Sequence, residues 1–275
     1  MSIDGNLKVV IRTVLVLLLV FISSLLIGIQ GHDYLVNLDV GQGDSALIQI
    51  GEYKVLIDGG PGDNVIHEIG KYMGNDKDID LVILTHLHLD HLSGLLSILD
   101  YYHIHKFVMN NVCSDDPLYK LLLKKLSDQK IPIIYTDYVK LTADTDAIEN
   151  ISYTKISKDC VNFSNLNNSS VITLLTFNSS KYLFMGDAEL EEEASFISKH
   201  KEDILNVNYI KLGHHCSRTA TSLEFLKLTK PKIVVCSYGL DNIYGHPHKE
   251  TLEKLKNLNI PMYSTVDSDV VINLQ

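Results

Sequence analysis

Thr85-His86-Leu87-His88-Leu89-Asp90-His91 gathers three imidazoles and a carboxylate within six residues, a density that structural use of histidine does not require. The run before it, Ile79 to Thr85, is short, β-branched and apolar, and predicts a buried strand. The run after it, Leu92 to Tyr102, sets Leu92, Leu95, Leu96 and Leu99 at helical spacing. The cluster therefore sits on a strand-to-helix turn. His86 and His88, two apart in extended chain, point the same way, while Asp90 and His91 emerge where the helix begins. Imidazole nitrogens with a carboxylate suit zinc, with manganese or iron as alternatives for a carboxylate-rich site.

Outward from this stretch the chain has the make-up of a folded domain. It has 275 residues, 45% of them apolar, and a net charge of −10. The only arginines are Arg12 and Arg218, so there is no basic face of the kind that tracks a nucleic-acid backbone over a long footprint. Contact with nucleic acid would be local and helped by metal. The four cysteines, Cys113, Cys160, Cys216 and Cys236, show no CxxC spacing; their even number permits disulfides without arguing for them. Cys216, next to His214 and His215, is a candidate metal neighbour; the preferred reading is a small residue filling a tight turn.

From Thr13 to Ile29 the sequence carries no charge, close to the shortest length that spans a bilayer. Lys8 and Arg12 precede it, which orients the N-terminus to the cytoplasm and the rest outside. A cleavable signal is the alternative, but no A-x-A-like site precedes Gln30. The expected organisation is an anchor or signal over residues 1–30 and one domain over 31–275. That domain would be extracytoplasmic, and secreted if the segment is cleaved. Tyr34–Val40, Asp44–Ile50 and Tyr53–Ile57 predict an opening β-meander with glycine turns. Strand-like and helix-like runs then alternate as far as a closing strand pair. The stretch 137–160 is too polar to place. Sheet-rich segments with interposed helices in both halves suit an αββα sandwich. A doubly wound sheet is also allowed by the pattern; the resemblance that the histidine motif carries favours the sandwich.

Two further ligand candidates follow strands: Asp187 in Met185-Gly186-Asp187, and His214 in Lys211-Leu212-Gly213-His214-His215. One metal would take His86, His88 and Asp187. A second would take Asp90, His91, His214 and the shared Asp187, leaving room for water. Asp58, ending a strand before Gly59-Gly60, either orients a ligating histidine or caps the turn. His215 is assigned to support of the ligands or to substrate.

Val40-Gly41-Gln42-Gly43-Asp44-Ser45, Ile57-Asp58-Gly59-Gly60, the HxHxDH run, Asn167-Asn168-Ser169-Ser170, Gly186-Asp187, Lys211 to His215 and Tyr244-Gly245-His246-Pro247 occur in that order. The HxHxDH run resembles the metal-binding signature of the metallo-β-lactamase superfamily. The whole series, across residues 32–275, resembles the C-terminal domain of ComEC-type competence proteins. The resemblance implies a metal-dependent hydrolase with two divalent ions, zinc or else manganese. Two departures stand out. Cys216 replaces a common glycine, and the multi-helix channel of the uptake protein is absent from this sequence, so a transport role is not carried over. No histidine lies between His105 and His200, where many members supply another ligand; Asn167 to Ser170 occupy that place. This disfavours β-lactam hydrolysis and favours a phosphodiester substrate such as DNA, attacked by hydroxide made available by the metals. Asp90, His246 and Asn168 are the expected catalytic residues, with Ser169 beside them to hold phosphate. A lactone, thioester or phosphocholine hydrolase, and a non-catalytic DNA-uptake binding module, are the alternatives.

Overall fold

The computed structural model describes residues 11–13, 33–144, 147–266 and 268–274. The chain runs β1 (Tyr34–Asn37), β2 (Ala46–Ile50), β3 (Tyr53–Ile57), α1 (Asn64–Met73), β4 (Asp78–Ile79), β5 (Leu81–Ile83), α2 (Leu89–Tyr101), β6 (His103–Ile104), β7 (Phe107–Met109), α3 (Pro117–Asp128) and β8 (Ile133–Tyr135). It continues through β9 (Tyr138–Ala143), β10 (Ile148–Tyr153), β11 (Ile172–Phe177), β12 (Ser180–Phe184), α4 (Leu190–His200), β13 (Tyr209–Lys211), α5 (Leu223–Thr229), β14 (Ile233–Cys236), α6 (Lys249–Asn257), β15 (Met262–Ser264) and β16 (Val270–Asn273).

Among the described residues two seven-stranded sheets form, in the orders β16-β1-β2-β3-β5-β7-β8 and β10-β9-β11-β12-β13-β14-β15. Alternation along the strands explains how they stack. Leu35, Ile48, Val55, Ile57, Leu81 and Ile83 face Val139, Leu141, Leu175, Phe177 and Tyr209 of the other sheet in one buried cluster. Their neighbours Val36, Leu47, Leu56 and Val82 turn outward beneath α1, α2 and α3. The second sheet does the same, with Ile172, Leu174, Leu183, Ile210 and Val234 packed under Phe196, Phe225 and Leu255 of α4, α5 and α6. Strands apolar on both faces need cover on both faces. The result is the expected sandwich of two sheets between helical layers, each buried aliphatic side chain contributing roughly 1.5–3 kcal/mol.

The polar stretch 137–160 holds β9 and β10. β9 is parallel to β11, and β10 closes that edge with a half-exposed face, which explains its polar sequence. The last two strands are not a pair. β15 lies parallel to β14 on the second sheet, and β16 crosses over to pair antiparallel with β1 on the first. The expected anchor lies outside the described residues apart from the three at 11–13. Among the described residues no helix is long and apolar enough to cross a membrane.

Candidate metal centre

The HxHxDH stretch leaves β5 and enters α2 as its composition predicts. His88 precedes the helix in extended conformation (φ −74°, ψ 152°), and Asp90 and His91 lie in the first turn. Three backbone hydrogen bonds fix this turn: Asp44 N–H to Asp90 O (3.1 Å), Gly59 N–H to His91 O (2.8 Å) and Gly94 N–H to Gly60 O (3.0 Å). A Cβ on Gly94 would stand 1.9 Å from Gly59 O, and one on Gly59 would stand 2.4 Å from Leu95 N. The helix thus packs directly on the Asp58-Gly59-Gly60 turn, and both contact positions require glycine.

Asp58 lies buried beneath the cluster. Its carboxylate accepts from Thr85 N (2.8 Å) and Thr85 Oγ1 (2.7 Å), and it meets His91 Nδ1 at 2.8 Å. That contact turns His91 Nε2 toward Asp187 Oδ2 (3.4 Å) and Asp90 Oδ2 (3.8 Å). His86 Nε2 lies 3.0 Å from His88 Nδ1 and 3.9 Å from Asp187 Oδ2. Asp187 arrives on the turn after β12, its amide bonded to Ser170 Oγ at 3.0 Å.

After β13 the chain departs from the sequence expectation. His214, His215 and Cys216 all have positive φ, at 48°, 51° and 65°. This left-handed turn swings His215 inward and His214 aside. His215 Nε2 reaches Asp90 Oδ2 (3.1 Å) and Asp187 Oδ2 (3.3 Å), while its Nδ1 meets Ser237 O at 3.0 Å. His214 Nδ1 instead faces Thr219 Oγ1 (3.0 Å) and Glu189 Oε1 (3.1 Å), and its Nε2 lies 3.5 Å from Asn167 Nδ2. The position facing the carboxylates, assigned from sequence to His214, therefore belongs to His215.

Among the described residues four groups are close enough to share an ion: His86, His91 and Asp187; Asp90, His91 and His215; Asp44, Asp58 and His91; and Asp44, Asp187 and His215. The first two border the cavity into which the cluster opens, while the other two share the buried Asp44. In addition, His91 Nε2 and Asp187 Oδ1 are buried without a hydrogen-bond partner. Unpaired buried polar atoms are rare; His91 Nε2 points at Asp187 Oδ2 and Asp90 Oδ2, and Asp187 Oδ1 lies on the Lys211 side of the same carboxylate. The donor set fits divalent metal ions.

The imidazoles and carboxylates of the cluster set one another's charge. Burial favours neutral His91 and His215, but Asp187 with Asp58 around the first, and Asp187 with Asp44 around the second, raise both well above the usual histidine range. His86, buried and beside His91, is held well below it. Against its own burial, Asp187 is kept well below the carboxylate range by His215 and His91. Asp90, also partly buried, is held at about 2 by His215 and His91. Metal ligation requires deprotonated imidazoles, so uptake of an ion displaces protons from this cluster.

The cluster opens into a cavity of about 330 Å³ lined by Gln42, His88, Leu89, Asp90, Asp187, His214, His215, Tyr244 and His246. His246 stacks on Tyr244 at 5.7 Å between ring centres. Burial and the surrounding histidines push it down to about 4. Asn168 and Ser169 do not line this cavity. Asn168 Oδ1 accepts from Glu189 N and its amide donates to Glu191, and the Ser169 hydroxyl is spent on Leu166 O. A short 3-10 turn, Leu166–Ser169, brings Asn167, which does not line the cavity either, within 3.5 Å of His214.

The buried pair of Lys211 and Asp44 went unread in the sequence. Lys211 Nζ bonds Asp44 Oδ2 and Gly186 O (3.2 Å), and lies 3.8 Å from Asp187 Oδ1. Asp44 Oδ1 stands 3.4 Å from His215 Nδ1. The charged residue in Gly43-Asp44-Ser45 and the lysine in an otherwise apolar strand were the available signals. The cysteines form two disulfides, Cys113–Cys160 and Cys216–Cys236, so Cys216 is a cross-link and more than turn filler.

The metallo-β-lactamase superfamily model matches residues 38–114, which span the turn carrying Asp44, the Asp58 turn and the histidine cluster. ComE operon protein 3 of Bacillus subtilis is 25% identical over 189 residues, covering 69% of this chain and 24% of that protein. Competence protein ComA of Neisseria gonorrhoeae is 27% identical over 99 residues, 36% of this chain and 14% of that protein. The chain thus spans about a quarter of the length of the first relative. Among solved structures, the metallo-β-lactamase fold protein YhfI of Bacillus subtilis superposes with a TM-score of 0.54 at 13% identity, over 88% of this chain and 100% of that one. The diiron β-hydroxylase CmlA of Streptomyces venezuelae does so with 0.57 at 14% identity, over 89% of this chain and 54% of that one. At such identities these two speak for the fold alone. The chain is a mixed α/β protein of metallo-β-lactamase fold that resembles the ComEC-type competence proteins.

Proposed function

We propose that this protein is a metal-dependent hydrolase acting on a phosphodiester, with DNA as the leading substrate. The observation that carries the reading is the convergence of His86, His91, His215, Asp90 and Asp187 on one buried cluster at the floor of an open cavity. His86 and His88 with Asp187 would hold one ion, and Asp90, His91 and His215 with the same Asp187 a second. When bound, divalent ions supply a nucleophilic water near neutral pH and neutralise charge on phosphoryl oxygens. Such neutralisation lets a chain of net charge −10 meet a polyanion without a basic face.

The residues around the ions have separable tasks. Asp58 holds His91 by its Nδ1, and Ser237 O holds His215 by its Nδ1, so each ring presents Nε2 to the centre. His214 and His246 stand on the substrate side, with Asn167 set against His214. At neutral pH His246 is uncharged, so it serves as a hydrogen-bond partner to a phosphoryl or leaving oxygen rather than as a stored proton. The two disulfides, with no free cysteine among the described residues, support an extracytoplasmic placement. The apolar run Thr13–Ile29 supports membrane anchoring. A non-catalytic binding module is the second reading, favoured by Asn167 standing where a nitrogen ligand is common.

Full-length protein purified without chelator tests both readings. Bound metal, and cleavage of bis-p-nitrophenyl phosphate and DNA with zinc or manganese, lost in an Asp90→Ala/His91→Ala variant, is the expected result. Bound metal without cleavage would transfer the reading to the ester and lactone hydrolases or to the binding module. Failure to bind metal under any loading condition would refute the enzyme.

A further inference from the structure

The turn that delivers His215 is an unfavourable piece of backbone. Three successive non-glycine residues with positive φ each lose roughly 1–2 kcal/mol relative to right-handed geometry, so something must hold them. In the parallel pairing of β13 with β14, Lys211 stands opposite Val235, and simple continuation would set Leu212 beside Cys236. The left-handed turn instead doubles the chain back, so that Cys216, four residues later, is bonded to Cys236. Both cysteines are fully buried, and their Cα atoms lie 5.6 Å apart, within the ordinary disulfide range.

The next residue on each strand completes the geometry. His215 precedes Cys216, Ser237 follows Cys236, and His215 Nδ1 meets Ser237 O at 3.0 Å. The covalent bond and the hydrogen bond are therefore adjacent rungs between the same two segments. We propose that the Cys216–Cys236 disulfide is a positioning device for His215. It clamps the left-handed turn, keeps the Nδ1–H bond to Ser237 O, and so aims Nε2 at Asp90 and Asp187. A glycine at 216 would adopt this turn without strain; a cysteine adopts it under a cross-link. The other disulfide ties Cys113 to Cys160, and neither of those residues lines the cavity. The proposal rests on the metal reading only for its second readout.

The test uses the full chain labelled with ¹⁵N-histidine, in wild-type, Cys216→Ser/Cys236→Ser, Cys216→Gly/Cys236→Ser and Cys113→Ser/Cys160→Ser forms. The first readout needs no metal: the solvent-protected Nδ1–H resonance of His215. The second is zinc affinity by chelator competition. Loss of Cys216–Cys236 is expected to abolish the protected resonance and weaken zinc about 10–100-fold, the range for loss of a ligand's orienting partner. Glycine at 216 should restore part of both. Removing Cys113–Cys160 should lower the melting temperature and leave both readouts unchanged. A folded Cys216→Ser/Cys236→Ser protein with the protected resonance and wild-type zinc affinity would overturn the proposal. If that variant does not fold, reductant is added to the Cys113→Ser/Cys160→Ser protein, where only Cys216–Cys236 can open. Unfolding there would make the bond a general staple and also overturn it. If wild-type protein binds no zinc, the metal reading fails, and the resonance alone decides the positioning role.

Discussion

Replacing Lys211 by methionine probes how the charge beneath the candidate metal centre is balanced. Lys211 and Asp44 are both buried. Asp44 Oδ2 is bonded to Lys211, and its Oδ1 has no hydrogen-bond partner. Burial opposes ionisation of Asp44, yet Lys211, His215 and His91 hold its carboxyl below the usual range. Methionine keeps the length of the side chain and removes the charge, leaving a buried carboxylate without its hydrogen-bonded cation and with only the imidazoles of His215 (3.4 Å) and His91 (3.9 Å) nearby. Breaking a buried pair in this way costs about 3–5 kcal/mol. For a chain of this size that lowers Tm by roughly 10 °C. Asp44→Asn/Lys211→Met removes both charges and should recover most of the loss. Denaturant titration and calorimetry of metal-free protein at pH 7 measure both variants. Lys211 Nζ also lies 3.8 Å from Asp187 Oδ1, so its loss strengthens the field on a bound cation, and saturating zinc should narrow the gap to wild type. A Lys211→Met protein within about 1 kcal/mol of wild type, or a double variant less stable than the single, would refute this account.

Four other outcomes are expected. Asp58→Asn, which cannot hold His91 Nδ1 as the carboxylate does, should weaken zinc binding about 10–100-fold in a folded protein; an unchanged constant in chelator competition would contradict the role given to Asp58. His215→Ala should lose metal from one site, whereas His214→Ala should keep both ions and lose turnover, as metal analysis and phosphodiester assays on the same samples will report. Gly94→Ala drives a methyl into the carbonyl of Gly59 and should destabilise by about 3 kcal/mol, read from the thermal melt. Burial pushes Glu192 up from 4.5 to about 7, so the folded state binds a proton that the unfolded state releases. Stability from this group therefore falls as pH rises from about 4.5 to about 7 and stays reduced above. The full shift corresponds to about 3 kcal/mol, which screening of a partly exposed side chain cuts to on the order of 1 kcal/mol. Glu192→Gln should stabilise by that amount at pH 8 and leave stability unchanged at pH 4, in paired denaturant titrations.

The sequence by itself determined whatever is written in neighbouring residues. The apolar runs before and after His86–His91 dictate a strand and a helix, because periodicity fixes which side chains share a face. With the turn placed, the joint delivery of His86, His88, Asp90 and His91 follows. Asp187 was legible only in their company, since a glycine-aspartate after a strand is ordinarily a turn. Even the glycines had a readable purpose, although it took packing to show that Gly59 and Gly94 touch.

Tertiary structure alone decided matters that depend on contacts across the chain. Whether His214 or His215 faces the centre turns on three left-handed residues, which invert the side-chain order that an extended strand end would give. That inversion is held by Cys236, at the end of a neighbouring strand, and by Ser237 just after it, beyond the reach of any local pattern. Lys211 and Asp44, separated by 167 positions, meet only because the two sheets stack. β15 and β16 part to opposite sheets for the same reason: hydrophobic pattern specifies that a strand is buried, while its partner is chosen by the whole packed assembly.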